Sequence, residues 1–229
     1  VGTDDKGLDG LEMVLDDELK GGIQKELVAT DRKGNAIFGS VLSKYLPDKG
    51  KSVTLTIDAS IQFIAERALD KAMEDTGAKH ASVIVMDPKT GEILAMANRP
   101  TYDPNHYSQG SEEDFKNIAV TNLYEPGSTF KPIIASAALA SGKWKLDQVY
   151  NDKGSFAANG HVMQNWNGEG YGPVRLIDIL KFSINTGMAE IGTTTGADIL
   201  SKYVRNYGFG SKTGIELPGE GEGILYNPD

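Results

Sequence analysis

Apolar positions change their period several times along the chain, and each change marks an element. In "GLDGLEMVLDDELKGG", Leu11, Met13, Val14 and Leu19 precede a glycine pair, which predicts one short helix and its stop. "KELVAT", "DRKGN" and "AIFGS" predict a hairpin with Lys33-Gly34-Asn35 in its turn. In "KSVTLTID", Val53, Leu55 and Ile57 alternate with Thr54 and Thr56, the period of a strand. The period then lengthens. Ile61, Ile64, Ala65, Ala68 and Ala72 predict a helix that ends near Gly77. "ASVIVMD", "PKTGE" and "ILAMAN" predict a second hairpin around a Pro/Gly turn. Residues 101–123 are expected to form a loop and a short helix, with Ser111 and the acidic residues 112–114 at the helix start.

From about 130 to 207 the pattern predicts mostly helix. "PIIASAALASG" is apolar nearly all round, as a buried helix is. "VRLIDILKFSIN" and "TGMAEIGTTTG" predict two helical pieces split near residues 185–187. Ile199, Leu200, Tyr203 and Val204 share one face of a further helix that stops at Gly208. "SKTGIELPGEGEG" is turn-rich. Strands and helices are therefore mixed, and the fold class expected is α+β (α/β mixed). A small polar segment, residues 1–50, precedes a larger domain, 51–229.

Composition narrows the function more than the fold. The chain has 229 residues, 39% of them hydrophobic and 24% charged, enough for a real core. A net charge of −9 with no Lys/Arg cluster argues against nucleic acid as a partner. The absence of cysteine excludes disulfides, a thiol nucleophile and thiolate metal sites. His80, His106 and His161 lie far apart without metal-ligand spacing, so neither metal nor cofactor is expected. No run of about 18 apolar residues exists to span a membrane. Both ends of the chain are read as cut edges of a larger protein.

The candidate chemistry sits in "YEPGSTFKPIIASAALASG". Ser128 and Lys131 are three residues apart, which on a helix puts their side chains on one face, about 5–6 Å apart. A buried lysine loses its proton more readily and could act as the base for a serine nucleophile. A helix N-terminus offers N–H groups to a developing oxyanion. The plain alternative is a serine N-cap followed by a solvated lysine. Ser183 and Asn185 in "FSINTG" form a second polar pair that could relay a proton and hold both the lysine and a substrate carbonyl. Alternatively they satisfy local backbone groups at a helix end. "NGHVMQNWNGEGYG", just before this pair, could line a cleft or be an exposed loop anchored by Trp166 and Tyr171.

Taken together, "EPGSTFKP" and Ser183-Ile184-Asn185 resemble the first two motifs of the serine acyltransferases that bind penicillin. The extended wording resembles class B penicillin-binding proteins, the transpeptidases of division, elongation and sporulation. "GLDGLEMVLDDELKG" resembles their N-terminal pedestal, "TLTIDASIQ" the start of their transpeptidase domain, and "VIVMDPKTGEILAMANRPTYDPN" its first hairpin. The resemblance implies a penicillin-binding serine acyltransferase fold, with a helical subdomain and part of an antiparallel sheet. Residues 1–50 would be the end of a pedestal or dimerisation region, and 51–229 a transpeptidase domain lacking its C-terminal strands. It implies Ser128 as nucleophile, Lys131 as base, and Ser183 and Asn185 as relay and positioning pair. The implied partners are peptidoglycan stem peptides, β-lactams and membrane proteins of wall synthesis. The implied location is the outer face of the bacterial cytoplasmic membrane, with an anchoring helix absent from this chain. Lys212-Thr213-Gly214 spells the third motif of the family, K-T-G, but follows a helix stop and precedes a turn-rich stretch instead of lying on a strand. It is read as a decoy, and the chain without the true motif is expected to be inactive alone. Two other functions stay open: a serine β-lactamase or penicillin sensor, and a non-catalytic scaffold of a wall-synthesis complex.

Overall fold

A computed structural model describes residues 6–21, 26–44, 49–158 and 160–226. By internal packing the chain forms two units: Val1–Asn122 with Ile215–Glu220, and Leu123–Gly214 with Gly221–Asp229.

In the first unit, two short helices, α1 (Gly10–Val14) and α2 (Asp16–Leu19), replace the single helix predicted there. Gly22 and Lys25 lie outside the described residues. Strands β1 (Glu26–Thr30) and β2 (Ala36–Lys44) form the first predicted hairpin. Asp31 closes its turn by accepting from the backbone N–H groups of Lys33 and Asn35. The expected strand at 52–57 is not one. Its alternation gives a strand pattern, yet no neighbouring strand pairs with it among the described residues, and Val53 and Leu55 stay exposed. A Thr56 hydroxyl bond to the Ile93 carbonyl fastens this segment instead. Helix α3 (Ala59–Thr76) begins where Asp58 caps the N–H groups of Ser60 and Ile61, and ends at Gly77 with φ +64°. Hairpin β3 (Ala81–Met86) and β4 (Ile93–Arg99) packs on α3, and the Arg99 guanidinium pairs with Asp70 of that helix. The short helix expected to start at Ser111 starts later, as α4 (Ile118–Thr121). The Ser111 N–H and hydroxyl both donate to Asp114, closing a turn before the helix.

The second unit carries the largest departure from the predicted pattern. It is helical at its ends, but two antiparallel pairs occupy its middle. Strand β5 (Val149–Asp152) pairs with β8 (Gly172–Arg175), and β6 (Ser155–Ala158) with β7 (His161–Gln164). These strands are only four residues long, too short for an alternation to register. Helix α5 (Lys131–Ala140) buries Ala135, Ala137 and Ala138. Helices α6 (Leu176–Lys181) and α7 (Asn185–Thr195) are split at 182–184, slightly before the predicted break. Helix α8 (Ala197–Asn206) follows without a connecting loop. The core lies between α5, α6 and α7, where Trp144, Ile179, Ile184 and Ile191 are buried.

Close approach of α6 and α7 depends on one glycine. A Cβ at Gly187 would lie 2.8 Å from both Cδ1 and Cγ1 of Ile179, a fully buried side chain. Gly187→Ala is therefore expected to destabilise the protein by about 1–3 kcal/mol through overpacking. Denaturant unfolding of the two proteins side by side checks this.

Candidate active site

Residues Gly127–Phe130 form one 3-10 turn that runs directly into α5. Gly127, at φ +57°, allows the sharp approach. Pro132 sits in the first turn of α5, where no N–H is required of it. Ser128 is thereby held on the exposed outer side of the turn, and Lys131 becomes the first residue of the helix. The hydroxyl of Ser128 does not cap the helix; its partner is the hydroxyl of Ser183, 2.8 Å away. The middle of α5 is fixed by the Tyr207 hydroxyl donating to Ser136 at 2.9 Å. Its near end is fixed by Phe209 packing edge-on against Phe130.

Lys131 is partly buried, and its amine points into the break between α6 and α7. Its Nζ lies 2.7 Å from the Ser183 carbonyl, 2.9 Å from the Ser183 hydroxyl and 2.7 Å from Asn185 Oδ1. Among the described residues no hydrogen bond runs directly from Lys131 to Ser128; Ser183 stands between them. Burial pushes the Lys131 pKa down from the ordinary lysine value. All three partners can accept from an ammonium, and they can also serve the neutral amine. The carbonyl and the amide oxygen can only accept, so they take the two hydrogens of an NH₂ group. The Ser183 hydroxyl can donate as well as accept, so it can give its proton to the lone pair. Ser128, Ser183 and Lys131 are then a continuous line along which a proton can leave Ser128.

Ser183 pays for its place with an unusual backbone. Its φ is +55°, the left-handed region, and it is the single non-glycine residue there among those described. That conformation turns its carbonyl and its hydroxyl toward the same amine. The strain of such a residue is about 1–2 kcal/mol. Ser183→Ala keeps the strain and loses the hydroxyl; Ser183→Gly loses both. The glycine variant is thus expected to be more stable than the alanine variant by about 1 kcal/mol, read from their melting curves.

Ser128, Lys131, Ser183 and Asn185 therefore converge. The stretch before the second motif borders them. The Gln164 carbonyl accepts from Asn185 Nδ2 at 3.1 Å, Asn165 is buried, and Trp166 remains 76% exposed. Tyr171 stacks on Phe182. Sequence reasoning named the stretch that holds Gln164 and Asn165 without singling out either residue, and missed Asp152 and Thr186; all four surround the N-terminus of α7. They come from three separate places in the chain, and no spacing signals them. Lys212-Thr213-Gly214 lies exposed on irregular chain, without a strand. Among the described residues no group of three or more His, Asp or Glu side chains could hold a metal ion. None of the described helices is long and apolar enough to cross a membrane.

Comparison with known proteins adds three kinds of likeness. A family model described as "Penicillin binding protein transpeptidase domain" matches residues 81–229. Stage V sporulation protein D of Bacillus subtilis is 40% identical over 99% of this chain and 35% of its own length. "Probable peptidoglycan D,D-transpeptidase PenA" of Neisseria gonorrhoeae is 36% identical over 98% of this chain and 38% of its own. The chain thus spans a little over a third of these relatives. Among solved structures, penicillin-binding protein 2X of Streptococcus thermophilus superposes with a TM-score of 0.85. It is 30% identical, over 97% of this chain and 34% of that one.

Proposed function

The chain belongs to the penicillin-binding protein transpeptidase family, class B, and on that premise we propose that it carries the acyl-transfer centre of a peptidoglycan D,D-transpeptidase. The observation that carries this reading is the hydroxyl bridge from Ser128 through Ser183 to the Lys131 amine. In the proposed reaction Ser128 Oγ attacks the carbonyl of the terminal D-alanyl-D-alanine bond of a stem peptide. Its proton passes to Ser183, whose own proton passes to Lys131. The tetrahedral intermediate collapses, the relay returns a proton to the departing amine, and D-alanine leaves. The amine of a neighbouring stem then attacks the acyl-enzyme and gives up a proton to the same relay. The product is a cross-link, and Ser128 regains its hydrogen. A β-lactam enters the first half of this sequence and stays attached to Ser128.

Asn185 has two tasks in this scheme. Its oxygen holds the amine, and its amide group borders the space a substrate carbonyl would occupy. Lys212-Thr213-Gly214 takes no part. Residues 1–50 are read as the end of a pedestal or dimerisation region and 51–229 as transpeptidase domain. The setting that goes with the reading is wall synthesis on the outer face of the bacterial cytoplasmic membrane, alongside membrane proteins of that machinery.

Mass spectrometry of the full-length protein after penicillin treatment tests the proposal. A stable adduct on the peptide containing Ser128 is expected. Rapid release of hydrolysed penicillin would indicate a β-lactamase instead. No adduct on a well-folded protein would indicate a scaffold with a dead cleft.

A further inference from the structure

Helix α7 begins without a cap of its own. Its N-cap residue is Ile184, whose side chain is buried in the core and cannot accept a hydrogen bond. The first-turn N–H groups of Asn185 and Thr186 are satisfied from 20 residues away. Both donate to Asn165 Oδ1, at 3.0 and 3.2 Å. Asn165 is itself only 4% exposed and is fully used. Its amide hydrogens go to Asp152 Oδ2 and the Glu169 carbonyl, each at 2.8 Å. That fixes which end of the amide faces α7, since the nitrogen has no freedom to swap with the oxygen.

Asp152 is the foundation. It is 3% exposed, and no cation pairs with it among the described residues. Four donors hold it: the Thr186 hydroxyl at 2.6 Å, the N–H groups of Gly154 and Tyr171 at 2.9 Å, and Asn165. Burial pushes its pKa up, but the bonds from Thr186, Gly154, Tyr171 and Asn165 outweigh burial and hold the carboxyl below its usual range.

The geometry has a consequence for Asn185. Its backbone nitrogen is tied to the Asn165 side chain, and its side-chain nitrogen to the carbonyl of the adjacent Gln164. One short stretch, residues 164–165, thus fixes both the start of the helix and the rotamer on it. The only free end of the Asn185 amide, Oδ1, must then face Lys131. We propose that Asp152 and Asn165 are positioning residues for acyl transfer: the buried carboxylate locks the Asn165 amide, and that amide places Asn185 against Lys131. The inference rests on Ser128 being the acylated residue.

The test measures the rate at which a fluorescent penicillin acylates the full-length protein, together with its melting temperature. Asn165→Ala and Asp152→Asn are each made alone and on an Asn185→Ala background. Asn165→Ala is expected to slow acylation about 100-fold, the scale of a misplacement of roughly 1 Å. On the Asn185→Ala background the same change should lower the melting temperature equally but slow acylation by less than about 3-fold, because the residue it acts through is gone. Should Asn165→Ala fail to fold, Asp152→Asn carries the comparison. It sets an NH₂ group against the donors of Tyr171 and Asn165, and about a 10-fold loss with the same non-additivity is expected. Unchanged acylation in the folded single variants, or equal fold losses on both backgrounds, overturns the proposal. A wild-type protein that is not labelled at Ser128 overturns the acyl-transfer reading itself, a result plainly different from either.

Discussion

Ser128→Ala is expected to abolish covalent attachment of a β-lactam and to leave the melting temperature where it was. Both halves follow from the position of the hydroxyl. It sits on the exposed face of a 3-10 turn, and its hydrogen bond is to Ser183, which keeps its own bond to Lys131 when Ser128 is shortened. No buried polar group is orphaned, so stability should move by no more than about 0.5 kcal/mol. In the proposed reaction Ser128 has no substitute, because the remaining hydroxyl of Ser183 is committed to the amine. A loss on the order of 10⁴-fold or more in acylation rate is expected. Intact-protein mass after penicillin treatment, beside a thermal melt, reads both quantities. Labelling of the alanine variant at a comparable rate would place the nucleophile elsewhere.

Replacing Lys131 has the next largest effect and is more diagnostic. In the proposed mechanism the reacting form is the neutral amine, and burial lowers the pKa at which it appears. Acylation should therefore rise with pH through that lowered value and level off above it. Lys131→Arg keeps a cation that does not deprotonate near neutrality. Lys131→Met keeps the length and removes the base. Each is expected to slow acylation on the order of 10³–10⁴-fold and to erase the rising limb. Stability shifts in a defined sense. A lysine whose folded pKa lies below its unfolded one binds fewer protons in the native state. Its contribution is therefore least favourable below the folded pKa, and stability recovers as pH rises from that value to the unfolded one. The methionine variant should lack this recovery. A rising limb that survives in Lys131→Met would assign it to another group.

Much of this was legible in the sequence where signals were local. The α3 helix announces itself by a helical apolar period and a closing glycine, and it ends at Thr76 as those signals require. The β3–β4 hairpin is equally plain from its turn. Ser128, Lys131, Ser183 and Asn185 were readable as candidates because each motif lies within a few residues. What could not be read depends on distant partners. The alternation at 52–57 meets no strand, whereas β5 to β8 exist because their mates are present, with little in their own short sequences to say so. Asp152 and Asn165 carry no motif at all. An aspartate at a strand end and an asparagine beside a tryptophan are ordinary until the fold buries both against α7.

Ser128 and the Lys131 amine stand on one continuous support, the 3-10 turn and α5, while the Ser183 hydroxyl stands on another, the link between α6 and α7. Sliding one support along the other leaves Ser128 and Lys131 at their mutual spacing. Yet drawing the two supports apart by about 1 Å would stretch contacts of 2.7–2.9 Å beyond hydrogen-bond range. The Ser183 bridge thus depends on how these two supports pack, although the spacing of Ser128 and Lys131 does not.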